Sequence, residues 1–253
     1  MTTENSHRLS ELLLDMGESM LSCGAEIQRI EDTLQRMSLA YGAQKANVFV
    51  ITSSIVLTLN FEDGTQITDS RRVLSNGGTD FEKLERFNDL SRRCSVSPLS
   101  LDELERELKE IGQRRIPLLK MYLGSALAAG GFAVFFGGTW LDGILAALFG
   151  LFICFLQVSF SPVCPNALFF NFVSSFSSGI LICLVAKAFP ILHADKIMIG
   201  DIMLLIPGIA ITNATRDMLL GDTISGVMKM MQCLLLAGTL ACGFMLAISL
   251  IGG

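Results

Sequence analysis

The sequence predicts an α-helical integral membrane protein, with a cytosolic α+β domain over residues 1–115 and about five transmembrane helices over residues 116–253. Three observations predict it. Before Pro117 the chain carries fourteen Lys/Arg and nineteen Asp/Glu, whereas from Pro117 onward it carries five Lys/Arg and five acids. Water-facing surface needs polar groups, and a bilayer instead penalises charge. Five apolar stretches, near 118–137, 141–160, 167–189, 197–214 and 226–251, approach the length that crosses about 30 Å of hydrocarbon. The polar part holds helical and strand periodicities of its own. The mean hydropathy of +0.54 therefore averages two unlike halves.

The N-terminal domain opens on Leu9, Leu13, Met16, Met20, Cys23, Ile27, Ile30, Leu34, Met37 and Tyr41, which step by four and three. That spacing predicts one long helix with an apolar seam, stopped at Gly42. Gly17 and Gly24 interrupt it at a cost of about 1 kcal/mol each against alanine, which points to the close approach of another backbone or a ligand. Asn47–Thr52 and Ser54–Phe61 are rich in Val, Ile, Thr and Phe and read as strands. Glu62-Asp63-Gly64-Thr65 reads as a hairpin turn into a returning strand, Gln66–Asp69. Ser75-Asn76-Gly77-Gly78 reads as a flexible link. Thr79–Glu82 and Ser100–Glu103 carry capping-box patterns that open two short helices, the second running to about Arg115.

Pro117 marks the passage into the membrane. Arg114, Arg115 and Lys120 flank the first span, and no basic n-region with a long apolar h-region opens the chain, so the N-terminus is expected in the cytosol. An odd number of spans then sets Gly253 on the other side. Small residues recur within the spans, among them Gly124, Ala128 and Gly131, then Gly143, Ala147 and Gly150, then Ser174, Ser175, Ser178 and Gly179. In lipid they let helices approach closely.

The fourth span differs from the rest. Pro207 removes a helix hydrogen bond and Gly208 loosens the next residue, so a helix break is expected there. Interrupted helices of this kind form binding sites in transporters. Asp201 stands on one side of the break, and Thr212, Asn213, Arg216 and Asp217 on the other, with Asp222 beyond. Asn213, Thr212, Arg216 and Asn171 are candidate substrate contacts. Asp201, Asp217 and Asp222 are candidates for coupling or charge balance. A blander reading sets Asp201 at the membrane edge and makes Arg216–Asp217 an ordinary interfacial pair. Asn171, one turn into the third span, either lines a pathway or bridges helices.

Several classes are disfavoured. The seven cysteines are scattered and two histidines make a zinc site unexpected, so neither a metal nor another cofactor is expected. The acidic balance and lack of a basic stripe argue against nucleic acid. No P-loop, G-x-S-x-G or Cys/His pair is present, and no catalytic residue is expected. Polar candidates in the N-terminal domain are Glu18, Glu26, Arg29, Asp32, Thr52, Ser53 and Ser54. They leave open a rival reading, a membrane-anchored hydrolase or metabolite sensor acting through residues 1–115.

Gly17-Glu18-Ser19, Gly24 to Thr33 (GAEIQRIEDT) and Tyr41-Gly42 resemble the opening of the threonine/serine exporter family. The Thr52-Ser53-Ser54 corner, Ile206-Pro207-Gly208, Thr212-Asn213, Arg216-Asp217 and Gly221-Asp222 are similar to its further motifs. The resemblance implies a cytosolic domain before a membrane domain of about ten helices in two halves, of which this chain has the first. It thus resembles the large subunit of the split, two-gene form, similar to the succinate-exporter large subunit. The resemblance implies secondary transport of threonine and serine or of a dicarboxylate across the inner membrane, with a short membrane partner, a second copy, or both.

Overall fold

A computed structural model describes residues 3–74 and 78–251. The expected link at Ser75-Asn76-Gly77 and the placement of Gly253 lie outside the described residues. The elements run α1 (Thr3–Ser22), α2 (Ile27–Ala40), β1 (Lys45–Ile51), β2 (Ser54–Asn60), β3 (Gln66–Arg72), α3 (Phe81–Val96), α4 (Leu101–Gln113), α5 (Leu118–Phe135), α6 (Trp140–Ser159), α7 (Ala167–Ala188), α8 (Ala194–Leu205), α9 (Gly208–Leu220) and α10 (Thr223–Ile251). They form two compact units. The first comprises Met1–Arg115 with Ile209–Met230, and the second Ile116–Gly208 with Met231–Gly253.

The first unit packs α1–α4 about a three-stranded antiparallel sheet in the order β1-β2-β3. The expected single N-terminal helix is two. α1 ends at Ser22, and Gly24 takes a φ of +82°, a left-handed conformation that only glycine adopts cheaply. Asp80 N–H donates to the carbonyl of Cys23 at 3.1 Å, and a Cβ on Gly24 would stand 3.4 Å from Thr79 Cα. Another stretch of backbone thus crosses the break. The seam survives the interruption: Leu9, Leu13, Met16 and Met20 on α1 and Ile27, Ile30, Leu34 and Met37 on α2 are all buried, together with Ile55, Leu57 and Leu59 of β2 and Phe87 of α3. Each such side chain is worth about 1.5–3 kcal/mol when fully buried.

The β1–β2 register pairs Ile51 with Ser54, so Thr52-Ser53 is the turn, and the β2–β3 register pairs Asn60 with Gln66. The Glu62–Thr65 turn is present, with Phe61 N–H donating to Thr65 O at 2.9 Å. α3 starts one residue later than its capping pattern suggests. Asp80, not Thr79, is the cap, accepting from Lys83 N–H at 3.0 Å. The α4 capping box at Ser100–Glu103 forms as expected.

By length and composition α5, α6 with the turn after it (Trp140–Val163), α7 and α10 are each long and apolar enough to cross a membrane, and α8 with α9 adds a fifth span if counted as one. That pair is bent by 53° at the break. Pro207 supplies the reason, since it offers no N–H to continue the helix. The small residues pack with a shifted register on α5. A Cβ at Gly130 would stand 2.7 Å from the carbonyl oxygen of Gly143, and one at Gly150 would stand 2.8 Å from Ala129 Cβ, whereas one at Gly124 or Gly131 meets nothing within 4 Å among the described residues. α7 meets α10 at Gly179, where a Cβ would lie 2.8 Å from that of Ala247.

Candidate functional site: a buried acid on an interrupted helix

α8 carries Asp201 into the interior of the second unit, because Ile197, Met198 and Gly200 on the same helix are also buried against its neighbours. The Asp201 side chain is fully buried, and its Oδ2 accepts from Ser178 Oγ of α7 at 2.7 Å. Its Oδ1, and the buried Oγ of Ser174, have no hydrogen-bond partner among the described residues. Ser174, Ser178 and Asn171 lie three and four residues apart on α7 and are all buried, so they share one helix face. An ionised carboxylate so enclosed costs several kcal/mol unless it is paired or neutralised. The protein itself thus shields the Asp201 side chain from solvent.

A second acid in this unit has no counterpart among the sequence candidates. Asp142 is fully buried near the start of α6. Its Oδ2 accepts from Thr139 N–H at 2.7 Å and Thr139 Oγ1 at 2.8 Å, closing a capping box. It also accepts from His193 Nδ1–H at 2.9 Å, and its Oδ1 accepts from His193 N–H at 2.9 Å. The Thr-x-x-Asp pattern before an apolar run is a visible capping signal. Nothing local announces His193, fifty-one positions away.

The residues after the break belong to the first unit. Arg216 Nη1 donates to Glu26 Oε1 at 2.7 Å, and Asn213 Nδ2 donates to the carbonyl of Gly24 at 3.1 Å. Asp217 is buried, and its Oδ2 accepts from Lys229 Nζ at 2.7 Å. Arg216 and Asp217 thus do not pair with each other: adjacent residues on a helix point to different faces. Asp222 follows in the α9–α10 link, its carboxyl held above the ordinary range by burial and by the neighbouring Asp217, with Lys229 opposing. Glu31 is likewise raised, chiefly by burial; its bond from Val50 N–H at 2.9 Å opposes this and the charge of Asp222 adds to it. Sequence reading thus grouped Asn213, Thr212, Arg216, Asp217 and Asp222 with Asn171 and Asp201, and the structure divides them between the two units.

Among the polar candidates of the N-terminal domain, Glu18, Arg29 and Thr52 each have a separate partner. Glu18 and Asp15 both face Arg71, at 3.4 and 2.8 Å. Arg29 donates to Asn88 Oδ1 at 3.3 Å, Thr52 Oγ1 lies 3.6 Å from Met228 Sδ, and Ser54 begins β2.

The protein-family model described as "Putative threonine/serine exporter" matches residues 11–251. The chain is 25% identical over 250 residues to the "Probable threonine/serine exporter" of Mycobacterium tuberculosis, covering 96% of this chain and 46% of that protein. It is 22% identical over 247 residues to the "Threonine/serine exporter" of Corynebacterium glutamicum, covering 93% and 50%. It is 24% identical over 265 residues to the "Probable succinate transporter subunit YjjP" of Escherichia coli, covering all of this chain and 98% of that protein. The chain therefore spans about half the length of the exporters and nearly the full length of the succinate transporter subunit. No solved structure matches it. With the family match running across both units and the interrupted helix, the chain belongs to the threonine/serine exporter family.

Proposed function

We propose that this chain is one subunit of a secondary-active exporter. It moves a small polar metabolite, an amino acid such as threonine or serine or a dicarboxylate such as succinate, across the inner membrane, with residues 1–115 on the cytosolic side. The observation that carries the reading is Asp201, a buried carboxyl held by one hydroxyl on a helix interrupted at Pro207-Gly208. A carboxyl with that setting exchanges a proton as its surroundings alternate between wet and dry, which supports coupling of export to a proton gradient. Arg216 neutralises a substrate carboxylate, exchanging Glu26 for it. Its guanidinium side chain is 59% exposed, and a single exposed ion pair of this kind is worth at most about 1 kcal/mol. Asn213, Thr212 and Asn171 hydrogen-bond polar groups along the path, while Asp217 and Asp222 balance charge. The relatives named as transporter subunits support a partner, a short membrane protein carrying the remaining helices.

The test is efflux of labelled serine, threonine and succinate from cells, scaled to the amount of inserted chain. Asp201→Asn is expected to flatten the pH dependence of efflux, and Arg216→Ala to abolish efflux with insertion intact. An unchanged pH profile in the first counts against proton coupling at Asp201. Unaltered efflux in the second removes Arg216 from the substrate path.

A further inference from the structure

Asp142 and His193 have no part in the reading above, yet their geometry is more elaborate than a helix cap requires. One buried carboxylate closes the first turn of α6 and also takes both the backbone N–H and the ring N–H of His193, the residue that caps α8. All four of these bonds to a charged acceptor are 2.7–2.9 Å long, the range of strong charge-assisted hydrogen bonds. The neighbouring turn tightens the same joint: a Cβ at Gly138 would stand 3.1 Å from that of Lys196 and 3.2 Å from that of Asp142.

A second grip lies further along α8. A Cβ at Gly200 would strike the carbonyl oxygen of Ala129 and stand 3.1 and 3.2 Å from the Cβ atoms of Ala133 and Ala146. The next residue is Asp201. At its other end α8 stops before Pro207. The helix bearing the buried acid is thus pinned at its start, slotted just before the acid, and interrupted at its end.

We infer that Asp142 and His193 are positioning residues for Asp201: their clip fixes the axial and rotational setting of α8 and so holds the carboxyl against Ser178. The inference rests on the reading of Asp201 as the coupling group. A rigid clip also assigns motion during transport to the Pro207 end of α8. The charged groups around the imidazole are Asp142 from α6, and Asp195 and Lys196, themselves paired at 3.3 Å, on its own helix. The imidazole is 55% exposed, while its Nδ1 edge is committed to Asp142.

The experiment measures efflux per inserted chain as a function of pH for Asp142→Asn, His193→Ala and His193→Asn, beside Asp201→Asn. Asparagine places an amide N–H where the imidazole Nδ1–H stood, so it keeps the clip. His193→Ala and Asp142→Asn are expected to lower efflux about tenfold and to move the midpoint of the pH profile by about half a unit, since a misplaced group loses both rate and environment. His193→Asn is expected to stay within about twofold of the native chain with its midpoint in place. Native rates and midpoints in both disrupting variants overturn the inference, as does a lowered rate with an unmoved midpoint, which a merely structural cap gives. If Asp142→Asn does not insert, the two His193 variants decide: equal behaviour overturns the clip. An unchanged profile in Asp201→Asn instead sinks the coupling reading, whatever the clip variants do.

Discussion

Arg216 and Asp217 are neighbours in sequence and serve different partners: Arg216 pairs with Glu26 of the N-terminal domain, whereas Asp217 pairs with Lys229 and so joins α9 to the start of α10. Residue type announced that these positions matter, because charge in an apolar run is expensive. Partner identity was not legible, since Glu26 and Lys229 lie 190 and 12 positions away and helical phase forbids the obvious pairing. Asp201 was legible for the same reason as Arg216, whereas nothing in the sequence around Asp142 points to His193. The raised carboxyl of Asp222 gives a prediction at this scale. A carboxyl whose folded value lies above its unfolded one binds protons on folding, so its contribution is present at acid pH and lost as pH rises through the raised value. At neutral pH its charge therefore costs stability. Asp222→Asn is expected to raise the thermal midpoint of the solubilised chain by about 2 °C near pH 8, with the difference vanishing below about pH 3. An equal gain at both pH values would show that the change acts through packing instead.

The elements were largely legible where periodicity was long. The seam from Leu9 to Tyr41 assigned the buried face of both α1 and α2. It hid the break between them, because a four-three repeat continues in phase across a short turn, and only Gly24 marked the site. The β-hairpins and the α4 cap followed their local turn chemistry. The interruption at Pro207 was visible because proline acts through its own missing donor. The packing face of α5 was not, since glycine and alanine occur on several sides of that helix and small size does not say which side meets a neighbour. Gly200 and Gly124 separate the two cases. Gly200→Ala inserts a methyl against Ala129, Ala133 and Ala146 and is expected to cost about 1–3 kcal/mol, read as a lowered thermal midpoint. Gly124→Ala, with nothing within 4 Å among the described residues, is expected to hold or slightly raise it, alanine being the better helix former. Equal losses at both would mean that Gly124 is also packed.

At the scale of the whole molecule, the length comparison and the exposed apolar surface point the same way. Leu119, Leu123 and Leu127 of α5 and Met231, Leu234 and Leu235 of α10 are all more than half exposed, surface that lipid or a partner helix covers. On the proposed subunit reading, efflux is expected when this chain is co-expressed with a short membrane partner, and not from the chain alone in vesicles; export by the purified chain alone would refute that reading. The make-up of the first unit also bears on how the protein is made. Residues 1–115 leave the ribosome well before residues 209–230, which complete the same unit. At about 5–20 residues per second, the N-terminal domain waits some 5–20 s for its last piece, while α5 to α8 are made in between. During that interval Glu26, the Gly24 carbonyl and Thr52 have none of their later partners, so this is the window in which a chaperone, or the wrong helix, competes for that surface.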